Sequence, residues 1–399
     1  SNIKNLKIET YKGREWLKNL LDAYKSTNKI ITKKYKKKYK IQLFIKSKNN
    51  KECEIKGRIR LSGDNKDHIN VIENILVSSL DVSLKDNINT FKNFKLLLPY
   101  TRKANSEIFI STILNHLDFL SPNIYLMQLE MFKKKNKYLF YENLNKEFLE
   151  RNNKSEGPII RGDERFFFKG KKNKIFARLE NPKWIKENKK NQLDRSVEAI
   201  TLANRIFVKT LITQDMTVDP HINFDYDLLK NHINLDEIKK YRLLIKAFGA
   251  NNSMSINDLR LYYDPVFKKF QFIYNDGSTT FLKIPEKILY THLKIEEIDL
   301  IHNTISNIEK INQKKLKEDL FDKGLSLSGK ELSNNLEKLK YRLRIIKKNR
   351  FKIKNNFNKL ETSSEDIEKM FKNTGLIYSY YLIDNVFEFC ENFKCKKEI

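Results

Sequence analysis

The stretch AFGANNSMSINDLRLYYDPVFKKFQFIYNDGSTT, residues 247–280, governs how the rest of the chain is interpreted. Two apolar and aromatic runs, 259–263 and 270–274, predict a β-hairpin. Asp258 precedes the first run and Asp276 follows the second, so antiparallel pairing would bring the two carboxylates together. Carboxylate and amide oxygens suit Mg²⁺ or Mn²⁺, but such residues also serve as ordinary turn and cap residues. The residues alone leave both interpretations open.

Composition indicates a globular protein. The chain has 399 residues, of which 40% are hydrophobic, enough for one large core or two ordinary ones. The formal net charge of +28 suggests an anionic partner. However, only 15 of the 78 basic residues are Arg, and Lys, Asn and Ile are abundant throughout, as AT-rich coding produces. We therefore expect no specific nucleic-acid recognition, while the run 33–40 leaves contact with an anionic surface open.

Cysteine usage and hydropathy exclude two further classes. The chain has three Cys residues, widely separated and without metal-ligand spacing, so neither a disulfide framework nor a zinc site is predicted. No run of 18 apolar residues or signal-like segment is present, which predicts no transmembrane segment. Because the chain begins at Ser1, the sequence assigns no compartment; cell-envelope association is the expectation if a leader has been removed.

Residues 1–145 show the patterns of a small β-rich unit. Hydrophobic periodicity predicts helices over 14–26 and 105–117 and strands over 41–45, 54–61, 91–98, 125–132 and 138–141. The polar loop 62–65 contains a Gly, and its backbone N–H groups are candidates for phosphate binding, with an ordinary loop as the alternative. Lys95 lies in an otherwise apolar strand, where a buried Lys needs a carboxylate partner, and Glu107 is available in the next helix.

Residues 146–399 are predicted to be mainly helical. An irregular insertion spans 147–190, and the hairpin described above lies within 255–280. Helices are predicted over 194–213, 295–310, 313–322, 328–355 and the tail 367–393. Residues 324–330 match the phosphate-loop pattern GxxxxGK, but Glu331 stands where Ser or Thr would hold Mg²⁺. A helix-capping box of Ser328 and Glu331 explains these residues better.

Six segments in order resemble the spore-coat-protein-H (CotH) kinase-like family, in a divergent bacterial branch. They are GRIRLSGDNKDHI (57–69), FKNFKLLLPYTR (91–102), NSEIFISTILNHLDFLSP (105–122), YLFYENLNKEFLE (138–150), GPIIRGDE (157–164) and SINDLRLYYDPVFKKFQFIYNDG (255–277). The resemblance implies an α+β, atypical protein-kinase-like two-lobed fold. Residues 1–145 would form the small β-rich N-lobe and residues 146–399 the larger, mainly helical C-lobe. It also implies phosphoryl transfer from ATP, with Mg or Mn, to a protein or cell-surface saccharide.

The resemblance further implies roles for individual residues. By position, the residues expected at the nucleotide are Ser62, Gly63, Asp64, Asn65, Lys95, Glu107 and Glu142. Lys95 would contact the α- and β-phosphates, Glu107 would orient it, and Glu142 would begin the segment that joins the lobes near the adenine. Asn257 and Asp276 would hold the metal, and Asn257 and Asp258 would be catalytic.

The sequence departs from the family where a catalytic acid or base is expected. The family carries Asp or His several residues before the Asn, and this chain has Gly249-Ala250-Asn251-Asn252 there. Asp258 substitutes for that group, or the catalytic carboxylate is missing. The alternatives are therefore a nucleotide-binding pseudokinase or a non-catalytic basic protein that binds a polyanion. The sequence does not predict the oligomeric state.

Overall fold

The structure is a computed structural model. It describes residues 3–47, 52–88, 91–162, 177–185, 190–213, 231–255, 258–283, 299–349, 378–383, 386–391 and 394–398. Within these ranges no helix has the length and apolar character needed to cross a bilayer.

The N-terminal part contains a closed seven-stranded β-barrel. The strands of this part are β1 (Ile3–Thr10), β2 (Tyr39–Ser47), β3 (Glu52–Leu61), β4 (Ile69–Ile72), β5 (Ile75–Ser78), β6 (Leu80–Ile88), β7 (Phe91–Leu97), β8 (Ile124–Met131) and β9 (Lys134–Glu142). The order around the barrel is β1-β2-β3-β6-β7-β9-β8, and β4 and β5 form a separate two-stranded sheet. Strand β1 closes the barrel because it pairs antiparallel with β2 and parallel with β8.

Alternating side chains fill the barrel core. Ile41, Leu43 and Ile45 of β2 are buried, whereas the residues between them are more exposed, as period-two patterning requires. The rings of Tyr125 and Phe140 stack with centroids 4.3 Å apart. Helix α1 (Gly13–Lys25) buries Trp16, Leu20 and Ala23 in the same core and exposes the residues on its other face.

The predicted kinase-like two-lobed fold, with a small β-rich N-lobe and a larger helical C-lobe, is wrong. The sequence interpretation omitted β1, whose residues Leu6 and Ile8 alternate with polar ones and are buried in the barrel core. An open sheet would leave unpaired strand edges, and β1 removes both by bridging β2 and β8. Strand β6 was also missed, and it separates β3 from β7 in the barrel.

The remaining elements form a second sheet and a helical layer. The sheet has the order β11-β10-β12-β13 and consists of β10 (Ile159–Gly162), β11 (Ala177–Leu179), β12 (Arg260–Asp264) and β13 (Lys269–Ile273). The helices are α2 (Ala104–His116), α3 (Lys146–Arg151), α4 (Lys190–Thr213), α5 (Leu235–Phe248), α6 (Asp299–Glu309), α7 (Gln313–Asp322) and α8 (Gly329–Asn349). Short 3₁₀ helices span Lys33–Tyr35, Lys66–His68, Pro99–Arg102, Pro182–Trp184 and Asn251–Met254.

Helix α2 joins the barrel to the second sheet and helices. Its residues Ile108, Phe109 and Ile113 are fully buried in a core that also contains Tyr274 and residues of α5 to α8. At its C-terminal end, His116 Nε2 lies 2.8 Å from Asp319 Oδ2 of α7. Because α2 is buried on nearly all sides, its sequence has apolar residues around the whole helix and not on one face alone.

Local predictions in the C-terminal part fare differently. The hairpin of β12 and β13 is confirmed, as is the capping box, because Ser328 N donates to Glu331 Oε2 at 2.7 Å and Glu331 N donates to Ser328 Oγ at 3.2 Å. The helical tail is wrong where the structure describes it. Strands β14 (Tyr378–Ile383), β15 (Val386–Glu391) and β16 (Lys394–Glu398) form a three-stranded sheet there. The run VFEFCE alternates with period two and is rich in strand-forming residues.

Candidate functional site

Three arginines form a row across the second sheet. The register pairs Arg161 of β10 with Arg178 of β11 on one side and with Arg260 of β12 on the other. Directly paired residues share a face of a sheet, so the three side chains leave the same face. Like charges placed directly opposite destabilise a sheet, and Arg260 is also buried. This row therefore opposes folding unless anions lie against it.

Glu180 is one such anion. Its Oε2 accepts from Arg161 Nη1 at 3.1 Å. Burial raises the pKa of Glu180, but the charges of Arg161, Arg260, Lys95 and Arg178 outweigh burial and lower the pKa to about 2. Four cations thus act on a single carboxylate. The cluster therefore has excess positive charge, which favours the binding of a further anion.

Lys95 reaches this cluster from the barrel. It lies on β7, and its charge acts on Glu180 of the second sheet and on Asp64 of the loop after β3. Burial raises the pKa of Asp64, but Lys36, Lys95 and Arg161 together lower it below its usual value. The fold therefore brings the predicted phosphate loop, the predicted phosphate-binding Lys and the arginine row to one place between barrel and sheet.

A buried ion pair lies beside this cluster. Arg102 Nη2 is 3.1 Å from Asp276 Oδ2, and the side chains are 24% and 14% exposed. Burial opposes the charge of Arg102, but Asp276, Tyr141, Glu107 and Asp258 raise its pKa. His68 connects the two groups of residues, because its pKa, lowered to about 4 mainly by burial, also responds to both Arg102 and Lys95.

Asp276 has the geometry of a strained, incompletely paired acid. Its backbone φ is +48°, and its N–H donates to Tyr141 Oη at 3.1 Å. Its Oδ1 is buried and has no hydrogen-bond partner. Left-handed backbone at a non-glycine residue costs about 1–3 kcal/mol and concentrates at functional sites. Oδ1 is thus an orphaned acceptor that a cation or a donor group would satisfy.

Glu107 is a neutral acid at neutral pH. The side chain is fully buried, and its Oε1 accepts from Ser278 N at 3.0 Å. Burial, followed by the charge of Asp276, raises its pKa to about 8. The Tyr274 hydroxyl lies close to the carboxyl group, but Tyr274 Oη and Glu107 Oε2 do not reach hydrogen-bond geometry. Glu107 Oε2 is therefore a second buried side-chain oxygen without a hydrogen-bond partner near Asp276.

The structure does not bring Lys95 and Glu107 into an ion pair within the described residues. The charge of Lys95 shifts the pKa values of Asp64, His68 and Glu180. The pKa of Glu107 is instead shifted by burial and by the charges of Asp276 and Arg102. A neutral carboxyl group is a poor partner for an ammonium group. The role of Glu107 in orienting Lys95 stays a prediction, which applies to a state in which Glu107 is ionised.

The structure brings Asp258 to the same place as Asp276. Both acids act on Arg102, and the Asp258 carbonyl oxygen accepts from Asn275 Nδ2 at 3.5 Å across the open end of the hairpin. Asp258 Oδ2 also accepts from Ser255 Oγ at 3.2 Å. The prediction that pairing of β12 and β13 gathers carboxylates at its open end is confirmed in this respect. Asn257 lies outside the described residues.

The predicted phosphate loop is held by the protein itself. Ser62 N donates to Ser79 O at 2.9 Å, and Ser62 Oγ donates to Asp81 Oδ1 at 2.8 Å. Gly63 has φ +84°, and a Cβ there would lie 2.0 Å from the His68 ring, so glycine is required for packing. Asn65 O accepts from His68 N at 3.3 Å. These contacts fix the loop in one conformation beside Lys95.

Glu142 lies at the end of β9 in a structural network. Its Oε2 is 2.7 Å from Arg151 Nη2 and accepts from Asn123 N at 2.6 Å. Burial raises its pKa, although Arg151 opposes that rise. The side chain therefore ties β9 to α3 and to the segment before β8, and a role near an adenine would rest on the backbone close to it.

The site residues that sequence reasoning missed are mostly arginines. The sequence interpretation did not single out Arg102, Arg161, Arg178, Arg260 and Glu180. Arg161, Arg178 and Glu180 lie in the predicted irregular insertion, and Arg260 lies in a predicted strand of the hairpin. A usable signal was present. Arg is scarce in this chain, yet three of the few occur between apolar residues in short segments, IIRG, ARL and LRLYY. A cationic side chain between apolar residues of a short strand indicates that it takes part in an ionic network.

The acids of the site offer few ligands for a divalent metal. Within the described ranges, no three His, Cys, Asp or Glu side chains converge on one point as a ready metal site. Mg²⁺ bound together with phosphates takes only one or two protein carboxylates, and the orphaned Oδ1 of Asp276 is an oxygen of the right kind. Among the described acids of the site, Asp276 thus offers a buried oxygen, Oδ1, of the kind that such a metal takes.

Comparisons with known proteins give a structural likeness but no match of sequence. No family model and no curated protein sequence matches the chain. The structure is similar to that of the Helicobacter pylori proinflammatory kinase CtkA, with a TM-score of 0.36 and 10% sequence identity. The match covers 71% of this chain and 96% of that one. A likeness at this level supports no conclusion about fold or function.

Proposed function

We propose that the chain is an ATP-dependent phosphotransferase that works at the cluster between barrel and second sheet. The observation that carries this proposal is the convergence of Lys95, Arg161, Arg178 and Arg260 on a single carboxylate, Glu180. Phosphoryl transfer requires placed positive charge more than covalent chemistry. The order of motifs that resembles the CotH family supports the same activity independently.

In this proposal each part of the cluster has one task. Lys95 and the arginine row bind the nucleotide phosphates, and the loop 62–65 lies beside them. Asp276, with Asp258 and Asn257, holds Mg²⁺ or Mn²⁺, which when bound would neutralise charge on the phosphates. Asp258 orients the acceptor hydroxyl group of a protein or a cell-surface saccharide. Arg102 fixes the Asp276 carboxylate through its 3.1 Å contact, so that one oxygen remains for the metal.

Incorporation of labelled phosphate tests the activity. Purified protein is incubated with γ-labelled ATP, Mn²⁺ or Mg²⁺ and a panel of protein and saccharide acceptors. We expect Asp276→Asn to reduce incorporation by a factor on the order of 10² or more, because a metal ligand is lost. Asp264→Asn is the matched control, since Asp264 Oδ1 caps the turn at the other end of the same hairpin by accepting from Val266 N and Phe267 N, and Asn accepts there equally well.

Loss of incorporation has to be separated from loss of folding. Circular dichroism and thermal melting of both variants provide that check. Equal incorporation by Asp276→Asn and wild type would remove Asp276 from the site. Equal loss in Asp264→Asn would show that the hairpin, and not the acid at its open end, is responsible.

The second candidate function is nucleotide binding without transfer. The ion pair of Arg102 with Asp276 and the neutral state of Glu107 favour it, because both reduce the negative charge available to a metal. Stabilisation by ATP in thermal melting, combined with no incorporation on any acceptor, would select this pseudokinase function. Incorporation that depends on Asp276 would exclude it.

A further inference from the structure

A groove that the proposed reaction does not use lies between α1, the segment before β2 and strands β2, β3 and β6 of the barrel. Its volume is about 1320 Å³. Eight of the residues that line it are basic and two are acidic, whereas the whole chain has 78 basic and 50 acidic residues. The ratio of basic to acidic residues is therefore higher in the groove than in the whole chain. The groove is therefore a concentrated positive surface.

The basic side chains of the groove come from separate elements. Those on the barrel are Lys40, Lys56, Arg58 and Lys85, and those on α1 and before β2 are Lys12, Lys18, Lys37 and Lys38. The register of β2 and β3 places Lys40 directly opposite Arg58, and both are exposed. Like charges in that position destabilise the sheet, so an anionic ligand is a physical reason for their arrangement.

One exposed aromatic ring lines the groove and a second lies near it. Tyr11 lines the groove and is 60% exposed, and its hydroxyl donates to Gln42 Oε1 at 2.8 Å, which fixes the ring. Phe132, at the turn between β8 and β9, is 43% exposed. It packs beside Gly13, where a Cβ would lie 3.1 Å from Phe132 Cε1. Nucleobases stack on such rings whatever their sequence.

We propose that this groove binds single-stranded nucleic acid without sequence preference. Lys side chains contact phosphates as point charges, and the scarcity of Arg agrees with the absence of base readout. A bilayer is too flat to enter a walled groove. An acidic peptide would gain no main-chain pairing, because the barrel is closed and offers no strand edge, and its carboxylates would not use the aromatic rings.

Fluorescence anisotropy with three labelled probes tests the proposal. The probes are a single-stranded oligothymidylate of about 15 nucleotides, the corresponding duplex, and a polyglutamate peptide of the same length. We expect the wild-type protein to bind the single strand roughly tenfold more tightly than either other probe, with log affinity falling linearly against log salt concentration. Failure to bind the single strand, or equal binding of polyglutamate, would overturn the proposal, and the latter would identify an acidic polypeptide as the partner.

Paired charge reversals locate the site. Lys40→Glu with Arg58→Glu should weaken binding by roughly tenfold or more and reduce the magnitude of the salt slope by about 1.4, or about 0.7 for each lost phosphate contact. Lys314→Glu with Lys317→Glu on α7 makes the same change in net charge at exposed positions outside the groove. It should change affinity by less than about twofold. Equal losses in both pairs would overturn the assignment to the groove.

A ring deletion separates stacking from charge. Tyr11→Ser should weaken single-strand binding by about fivefold or more while the salt slope stays unchanged, because no charge is removed. Circular dichroism confirms that the variant is folded. Unchanged affinity would overturn the single-strand assignment. None of these measurements depends on ATP, so their failure would not affect the phosphotransferase proposal.

Discussion

The cluster between barrel and second sheet and the groove along α1 both gather basic side chains, but the cluster is mostly Arg with low exposure and the groove is mostly exposed Lys. In the cluster, Arg161 is 14% exposed and acts on Glu180, whose pKa is about 2. In the groove, Lys12 and its partner Glu15 are 66% and 60% exposed. Water screens the exposed charges of the groove. In the cluster, burial makes a cationic side chain costly unless an anion lies beside it.

The contrast between the exposed groove and the cluster shows how the net charge of +28 should be interpreted. Exposed Lys residues cost the fold little, so their number follows coding bias as easily as function, and only their arrangement is informative. Buried Arg residues cost the fold several kcal/mol unless they are compensated, so even a few of them indicate a requirement. Three consequences follow, in order of decreasing effect on stability.

The largest effect is expected from Glu180→Gln. Removal of the carboxylate leaves Arg161, Arg178, Arg260 and Lys95 facing one another, which we expect to destabilise the protein by about 3 kcal/mol. The comparison variant is Glu15→Gln in the groove, which should leave the urea midpoint unchanged because that ion pair is solvated. Equilibrium urea unfolding measures both. Equal small effects would contradict the difference between the two regions.

The next effect is a pH dependence due to Glu107. Its pKa rises from 4.5 in the unfolded chain to about 8 in the folded protein, so the folded protein binds a proton that the unfolded chain has released between these values. Stability should therefore fall as pH rises from about 4.5 to about 8, by a few kcal/mol in total. Glu107→Gln should remove this decline and be at least as stable as wild type at pH 8.

Urea unfolding at several pH values between 5 and about 8.5 checks this prediction. Gln preserves the shape of the neutral carboxyl group, so a large loss of stability at pH 5 would mean that Glu107 is charged in the folded protein. The matched control is Glu331→Gln at the solvated capping box, which should leave the slope between pH 5 and 8 unchanged, because its carboxylate is exposed and ionised throughout.

The smallest effect is expected for Lys40→Ala in the groove. The variant relieves the repulsion of Lys40 and Arg58, so stability should change by less than about 0.5 kcal/mol and should increase, if at all, at low salt. Unfolding at two ionic strengths measures it. A clear loss of stability would show that Lys40 is part of a structural ionic network, like the residues of the buried cluster.

The sequence predicted local elements better than their assembly. The hairpin of β12 and β13 and the capping box at Ser328 rest on neighbouring residues, and periodicity and cap chemistry identify both. The closed barrel depends on β1 reaching β8 across more than 100 residues, and no local pattern carries that pairing. Strand β6 is a different case, because it pairs with β7 directly after it in the chain and its buried residues Leu80, Val82 and Leu84 alternate, so the sequence interpretation overlooked a local signal.

One part of the candidate site could be predicted from local sequence and another part could not. The neighbourhood of Asp258 and Asp276 follows from one hairpin, so it could be predicted. The arginine row depends on the register of β10 with β11 and β12, which lie far apart in the chain. The neutral state of Glu107 depends on the burial of α2, which an early helical position and an acidic side chain do not disclose.

Thermal melting with ATP and Mg²⁺ shows whether nucleotide binds at Lys95. Lys92→Met is the matched control, because Lys92 is exposed on the same strand, β7. At a nucleotide concentration 100 times the Kd, wild type and Lys92→Met should each gain about 2.7 kcal/mol of stability, while Lys95→Met should gain little or nothing. Equal stabilisation of Lys95→Met, or no stabilisation of the wild-type protein at millimolar ATP, would contradict the account.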